Sequence, residues 1–108
     1  MLKKKVDRKV LRFPARLALL ELNGEPAFDS HLVDISSLGA QLETPLFFPL
    51  NTAVEVVVRF PWGDREVRLS GLTRWIKPLI GRPGRFRIGV RFYQPFWEID
   101  QLAREGKL

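Results

Sequence analysis

Apolar and polar residues alternate with a period of two through most of the chain, and this pattern predicts a protein built mainly from β-strands. Residues 40–44 alternate in this way, and residues 52–60 place Val54, Val56 and Val58 on one face. The β-branched side chains of the second stretch favour a strand over a helix. The predicted strands cover residues 16–22, 27–35, 40–44, 52–60, 65–75 and 86–93.

Turn-forming residues separate these strands, and one helix follows them. Asn23-Gly24 supplies the positive φ angles of a tight hairpin between the first two strands. Residues 96–107 have apolar side chains at helical spacing, and Pro95 suits the first turn of that helix. Six strands and a terminal helix predict an all-β fold, a small six-stranded antiparallel barrel with a short C-terminal α-helix.

The composition is that of one globular domain with an excess of positive charge. The chain has 108 residues, 45% apolar and 28% charged, and no cysteine for a disulfide. We expect residues 1–14 to form a flexible basic arm and residues 15–108 to form the folded domain. No apolar run is long enough to span a membrane, and no signal-type segment follows the basic N-terminus, so we expect a cytoplasmic protein. A net charge of +6 favours anionic ligands.

Metal and catalytic sites are not expected. His31 is the only histidine, so the usual nitrogen and sulfur ligands of a transition metal are lacking. Ser36, His31 and Asp34 lie on one short segment without the strand-to-helix turn that exposes a nucleophile. We therefore expect neither an enzyme nor a bound cofactor.

Two short motifs provide groups that suit a phosphorylated guanine ligand. Arg8 and Arg12 lie four residues apart, and the fork of an arginine binds phosphate or the acceptor edge of guanine. Asp34 can accept hydrogen bonds from guanine, while backbone N–H groups and the Ser36 hydroxyl face a phosphate or base. The alternative is the same turn at residues 34–39 without a ligand, and in both cases we expect Gly39 to have a positive φ.

The spacing of these motifs resembles that of PilZ domains, which are receptors for the bacterial second messenger cyclic di-GMP. In the family an R-x-x-x-R motif is followed roughly twenty residues later by D-x-S-x-x-G. The surrounding segments 12–17, 71–75 and 89–92 also resemble the family's first, penultimate and last strands. The resemblance covers nearly the whole chain and implies a single-domain member with a six-stranded barrel and a C-terminal helix.

The resemblance also implies roles for individual residues. Arg8 and Arg12 would hold the phosphates and the acceptor edge of guanine, and Asp34, Ser36 and Gly39 would line the other side of the ligand. Arg12 and Arg16 form an alternative register of the first motif, and Asp7 leaves the number of bound ligands open. Further candidate contacts are Lys9, Arg16, Ser37, Trp75 and Trp97, although we expect Trp97 to pack against the barrel.

Three functions are consistent with these residues. The leading hypothesis is a receptor whose arm becomes ordered on cyclic di-GMP and which signals through an unidentified protein effector. The second is a PilZ-like adaptor that acts through protein contacts alone, at a pilus or motility machine. The third is a basic barrel for single-stranded nucleic acid, which we do not expect because aromatic and basic residues do not alternate on one strand face. A homodimer is possible. Residues 46–50 either pack beneath the barrel or form an exposed surface for a partner.

Overall fold

The fold was analysed in a computed structural model that describes residues 11–27, 29–61 and 65–107. Strands make up most of this part of the chain. The elements in it are β1 (Phe13–Leu22), β2 (Glu25–Pro26), β3 (His31–Ile35), β4 (Gly39–Thr44), β5 (Ala53–Phe60), β6 (Arg65–Pro78), β7 (Phe86–Phe92) and α1 (Glu98–Arg104).

Six of the strands close into an antiparallel barrel. Their order is β1-β3-β4-β7-β6-β5, and β5 pairs with β1 to complete the circle. The short β2 pairs with β1 outside this circle, through a turn in which Asn23 and Gly24 have φ angles of 52° and 83°. The predicted barrel, its terminal helix and the Asn23-Gly24 hairpin are therefore confirmed. Closure leaves the six barrel strands without unpaired edges.

The core fills the barrel interior, and α1 covers one side of it. Leu19, Leu32 and Ile88 are fully buried from three different strands, and Ile99 of α1 is buried with them. Successive positions in a helix are about 100° apart, so residues two apart point to opposite sides. Trp97, two residues before Ile99, is 65% exposed. The prediction that Trp97 packs against the barrel was wrong for this reason.

Several element boundaries differ from the predicted ones. β1 begins at Phe13 rather than at residue 16, because Pro14 lies beside a register shift in the β1–β3 pairing, where a proline is tolerated. β3 begins only at His31, since the Ser30 amide before it is hydrogen-bonded to the Ala27 carbonyl and not to a neighbouring strand. α1 spans only residues 98–104, so Pro95 lies before its first turn.

The loop between β4 and β5 is largely exposed. Leu46, Phe47 and Leu50 are 48%, 61% and 57% exposed, whereas Phe48 packs against the core. Buried Thr73 fixes the loop, because its hydroxyl donates to the Pro49 carbonyl over 2.6 Å. The apolar residues 46–50 thus form a surface loop that is held at Pro49 by a buried side chain.

No helix in the described ranges is long and apolar enough to cross a membrane.

Candidate functional site

The D-x-S-x-x-G motif forms a tight turn between β3 and β4. The Ser36 hydroxyl accepts hydrogen bonds from the amides of Leu38 and Gly39, both over 3.2 Å, and donates to the Gly39 carbonyl. Ser36 is almost fully buried and its hydroxyl shapes the turn, while Ser36 and Gly39 both belong to the lining of the adjacent pocket.

Gly39 is required by a close approach of two strands. Its φ is not among the positive values, which corrects the left-handed conformation expected from the sequence. A Cβ atom at this position would instead collide with the backbone carbonyl of Val90 on β7. The glycine therefore lets the start of β4 lie tightly against β7.

Asp34, the first residue of the motif, connects three segments on the outer surface of the barrel. Its Oδ1 accepts a hydrogen bond from Arg12 Nη2 over 2.9 Å, and its Oδ2 accepts one from Gln41 Nε2 over 3.0 Å. The Asp34 side chain is 19% exposed and that of Arg12 is 45% exposed. Each carboxylate oxygen retains a lone pair for a further donor, so Asp34 remains able to accept hydrogen bonds from a ligand.

A pocket of about 290 Å³ opens next to this turn, across β4, β7 and β6. Trp75 lies over Gly89, and a Cβ atom on Gly89 would fall on the indole ring. Lys77 Nζ lies 5.4 Å from the centre of that ring, a cation–π contact. Side chains that contribute to the wall of this pocket include Arg12, Arg74, Trp75 and Arg91.

The pocket is positively charged. Three arginines line it, and no aspartate or glutamate of the described residues does so. Arg91 lies opposite Gly39 in the β4–β7 pairing, while Arg74 occupies a register shift between Thr73 and Trp75 in the β6–β7 pairing. Neither Arg74 nor Arg91 was predicted as a site residue, because the register that brings these strands together is not visible in the sequence.

The remaining candidate residues fall outside this pocket or outside the described ranges. Arg8 and Lys9 belong to the residues that the structure does not describe. Arg16 is exposed on β1 and does not line the pocket. Arg12, which both alternative registers share, contacts Asp34. Ser37 is buried, with its carbonyl accepting a 2.7 Å hydrogen bond from the Phe96 amide, and Trp97 lies away from the pocket.

A second cluster of charges lies at the far end of β4 and holds the β6–β7 loop. Glu43 Oε2 contacts Arg82 Nη1 at 2.9 Å and Arg85 Nε at 3.0 Å. Burial opposes ionisation of Glu43, but the Arg85 hydrogen bond and the nearby positive charges prevail and lower its pKa. Burial and the charge of Arg16 lower the pKa of neighbouring His31, despite the opposing effect of Glu43. This cluster fixes a loop and is separate from the pocket.

Comparison with known proteins places the chain in a family. The family model of the PilZ domain matches residues 7–104, which include both sequence motifs and the residues of the pocket. No curated protein and no solved structure matched the chain. Because the match spans nearly the whole sequence, the chain belongs to the PilZ domain family.

Proposed function

We propose that this protein is a bacterial receptor for cyclic di-GMP and that the ligand binds on the outer surface of the barrel, between Arg12, Asp34 and the pocket beside Trp75. Membership of a family that binds cyclic di-GMP supports the class of ligand. The observation that carries the proposal is the position of the Asp34 carboxylate and the Arg12 guanidinium at the edge of a carboxylate-free, positively charged pocket.

Guanine recognition is assigned to Asp34. Its carboxylate accepts hydrogen bonds from the N1–H and N2–H donors of a guanine base. Gln41 keeps the carboxylate oriented through its contact with Oδ2. Trp75, whose indole lies half-buried over Gly89, offers an aromatic face for stacking.

Phosphate recognition at the entrance is assigned to the R-x-x-x-R motif. Arg12 exchanges part of its contact with Asp34 for a phosphate oxygen or for the acceptor edge of guanine, which its planar fork permits. Arg8 and Lys9 supply further positive charges for the phosphates. Ordering of the N-terminal arm then provides the surface that a protein effector recognises. The chemistry requires no cofactor and no catalytic group, and the ligand places the protein in the cytoplasm.

A second candidate function is an adaptor that acts through protein contacts without nucleotide. The observation that favours it is the loop between β4 and β5, which exposes the apolar side chains of Leu46, Phe47 and Leu50. The two functions differ in their dependence on Arg12, since a nucleotide-independent adaptor binds its partner equally well after Arg12→Ala.

The experiment that tests the receptor function compares Asp34→Asn with the wild-type protein in a cyclic di-GMP binding titration. Asparagine preserves the shape but removes the charge that guanine's donors require, and a hydrogen bond to a charged group contributes about 1.5–3 kcal/mol. We therefore expect affinity to fall by about 10- to 100-fold. Asp100→Asn on α1 serves as the matched control and should bind like the wild type. Equal affinities of both variants would refute the assignment of Asp34.

A further inference from the structure

Two arginines of the pocket, Arg74 and Arg91, stand without a partner among the described residues. Neither makes an ion pair or a side-chain hydrogen bond with any residue that the structure describes. Both line the pocket beside Trp75. Two guanidinium groups of like charge facing one concave surface repel each other unless an anion lies between them.

Most other arginines of the described barrel surface are neutralised by a carboxylate. Arg65 contacts Glu98 at 2.5 and 2.8 Å, Arg68 contacts Glu55 at 2.9 Å, and similar pairs involve other strands. Arg16 and Arg104 are exposed without such a pair, but neither lies in this pocket. The pocket thus differs from the surrounding surface because two of its arginines, Arg74 and Arg91, lack a carboxylate partner in the described part of the chain.

The backbone positions both groups on rigid strands. Arg74 is the extra residue where the β6–β7 register shifts between Thr73 and Trp75, and Arg91 lies directly opposite Gly39. A register shift of this kind redirects a side chain and is common next to binding sites. Gly39 and Gly89 line the same pocket, where Gly39 lets β4 approach β7 closely and Gly89 leaves room for the Trp75 indole.

We propose that Arg74 and Arg91 form a phosphate-binding subsite, which receives one phosphodiester of the cyclic dinucleotide whose guanine Asp34 holds. Two arginine forks bind the non-bridging oxygens of a phosphate through charge-assisted hydrogen bonds. The identity of the complete ligand rests on the proposed function, whereas the recognition of a phosphate group rests only on the pocket.

The test measures affinity and side-chain contact separately. Arg74→Gln and Arg91→Gln are each expected to weaken cyclic di-GMP binding by about 10-fold or more, since each removes at least one charge-assisted hydrogen bond. Arg104→Gln is the matched control, because it removes an exposed arginine outside the pocket. In ¹⁵N spectra of the wild type, the Nε–H signals of Arg74 and Arg91 should shift on ligand addition, while that of Arg104 stays in place. Urea unfolding curves of each variant serve to check that it is folded.

Inorganic pyrophosphate distinguishes a failure of the subsite from a failure of the receptor function. If cyclic di-GMP binds but both pocket variants match the Arg104→Gln control, the subsite is refuted and the receptor function stands. If cyclic di-GMP does not bind the wild type, pyrophosphate shifts at Arg74 and Arg91, lost in the variants, would still support the subsite. Absence of these shifts with both ligands would overturn it.

Discussion

Replacement of Glu43 by Gln is the change that we expect to destabilise the barrel most clearly through electrostatics alone. The side chain of Glu43 is 4% exposed and accepts the hydrogen bond of Arg85, with Arg82 also in contact. Gln has nearly the same volume and creates no cavity. The variant therefore isolates the loss of the negative charge beneath the β6–β7 loop.

The magnitude follows from the exposure of each partner. The Arg85 side chain is 21% exposed, and a hydrogen bond between charged groups contributes about 1.5–3 kcal/mol. The Arg82 side chain is 53% exposed, so its pair contributes only about 0.2–1 kcal/mol. Because the amide oxygen of Gln still accepts one hydrogen bond, we expect the free energy of unfolding to fall by about 2 kcal/mol.

The effect should also depend on pH. The fold lowers the pKa of Glu43 from its ordinary value of 4.5. The ionised side chain therefore contributes fully to the stability of the fold above pH 4.5, and this contribution is lost as the pH falls through the lower pKa of the folded state. The difference between wild type and Glu43→Gln should accordingly be largest at neutral pH and shrink in acid.

Urea unfolding followed by circular dichroism at a series of pH values measures both quantities. Glu66→Gln is the matched control, because Glu66 pairs with Arg59 at 2.7 Å but both side chains are about half exposed. We expect the free energy of unfolding of this control to fall by less than about 1 kcal/mol. The reasoning is refuted if the two variants are equally stable at pH 7, or if the deficit of Glu43→Gln does not decrease in acid.

Two further changes test other parts of the structure. Gly89→Ala places a methyl group against the Trp75 indole. We therefore expect the free energy of unfolding, measured in urea, to fall by about 1–3 kcal/mol, and ligand binding to weaken. A change of less than about 0.5 kcal/mol would contradict the close approach of Trp75 to Gly89. The folded pKa of His31 lies below its ordinary value of 6.5, chiefly through burial and then the charge of Arg16. Its unfolded form therefore binds more protons, and stability should fall as the pH drops below about 6.5. His31→Gln should remove this loss, and parallel stability profiles of variant and wild type from pH 7 to 5.5 would disprove the effect.

Local patterns predicted the strands but not all of their ends. The alternation in residues 40–44 and the valines of residues 52–60 identify β4 and β5, because a half-buried strand has a period of two. The start of β1 was missed because Pro14 normally interrupts a strand, whereas the fold pairs Pro14 with Asp34 next to a register shift. Such a shift depends on the partner strand and leaves no mark in the local sequence.

The same limit applies to the site. Spacing and residue type were sufficient to select Arg12 and Asp34, which the fold brings into contact. Arg74 and Arg91 join them only through the register of β4, β7 and β6, which is a property of the assembled barrel. The expected positive φ at Gly39 was wrong for a related reason, since the approach of Val90 to that position arises from strand pairing.

Isothermal titration of the wild-type protein and Arg12→Ala with cyclic di-GMP, with GTP as the control ligand, tests the receptor function most directly. The account predicts micromolar or tighter binding of cyclic di-GMP to the wild type, affinity at least about 10-fold lower in Arg12→Ala, and no binding of GTP. The titration midpoint also gives the number of bound ligands. Absence of binding to the wild type at high protein concentration would contradict the receptor function and favour the nucleotide-independent adaptor.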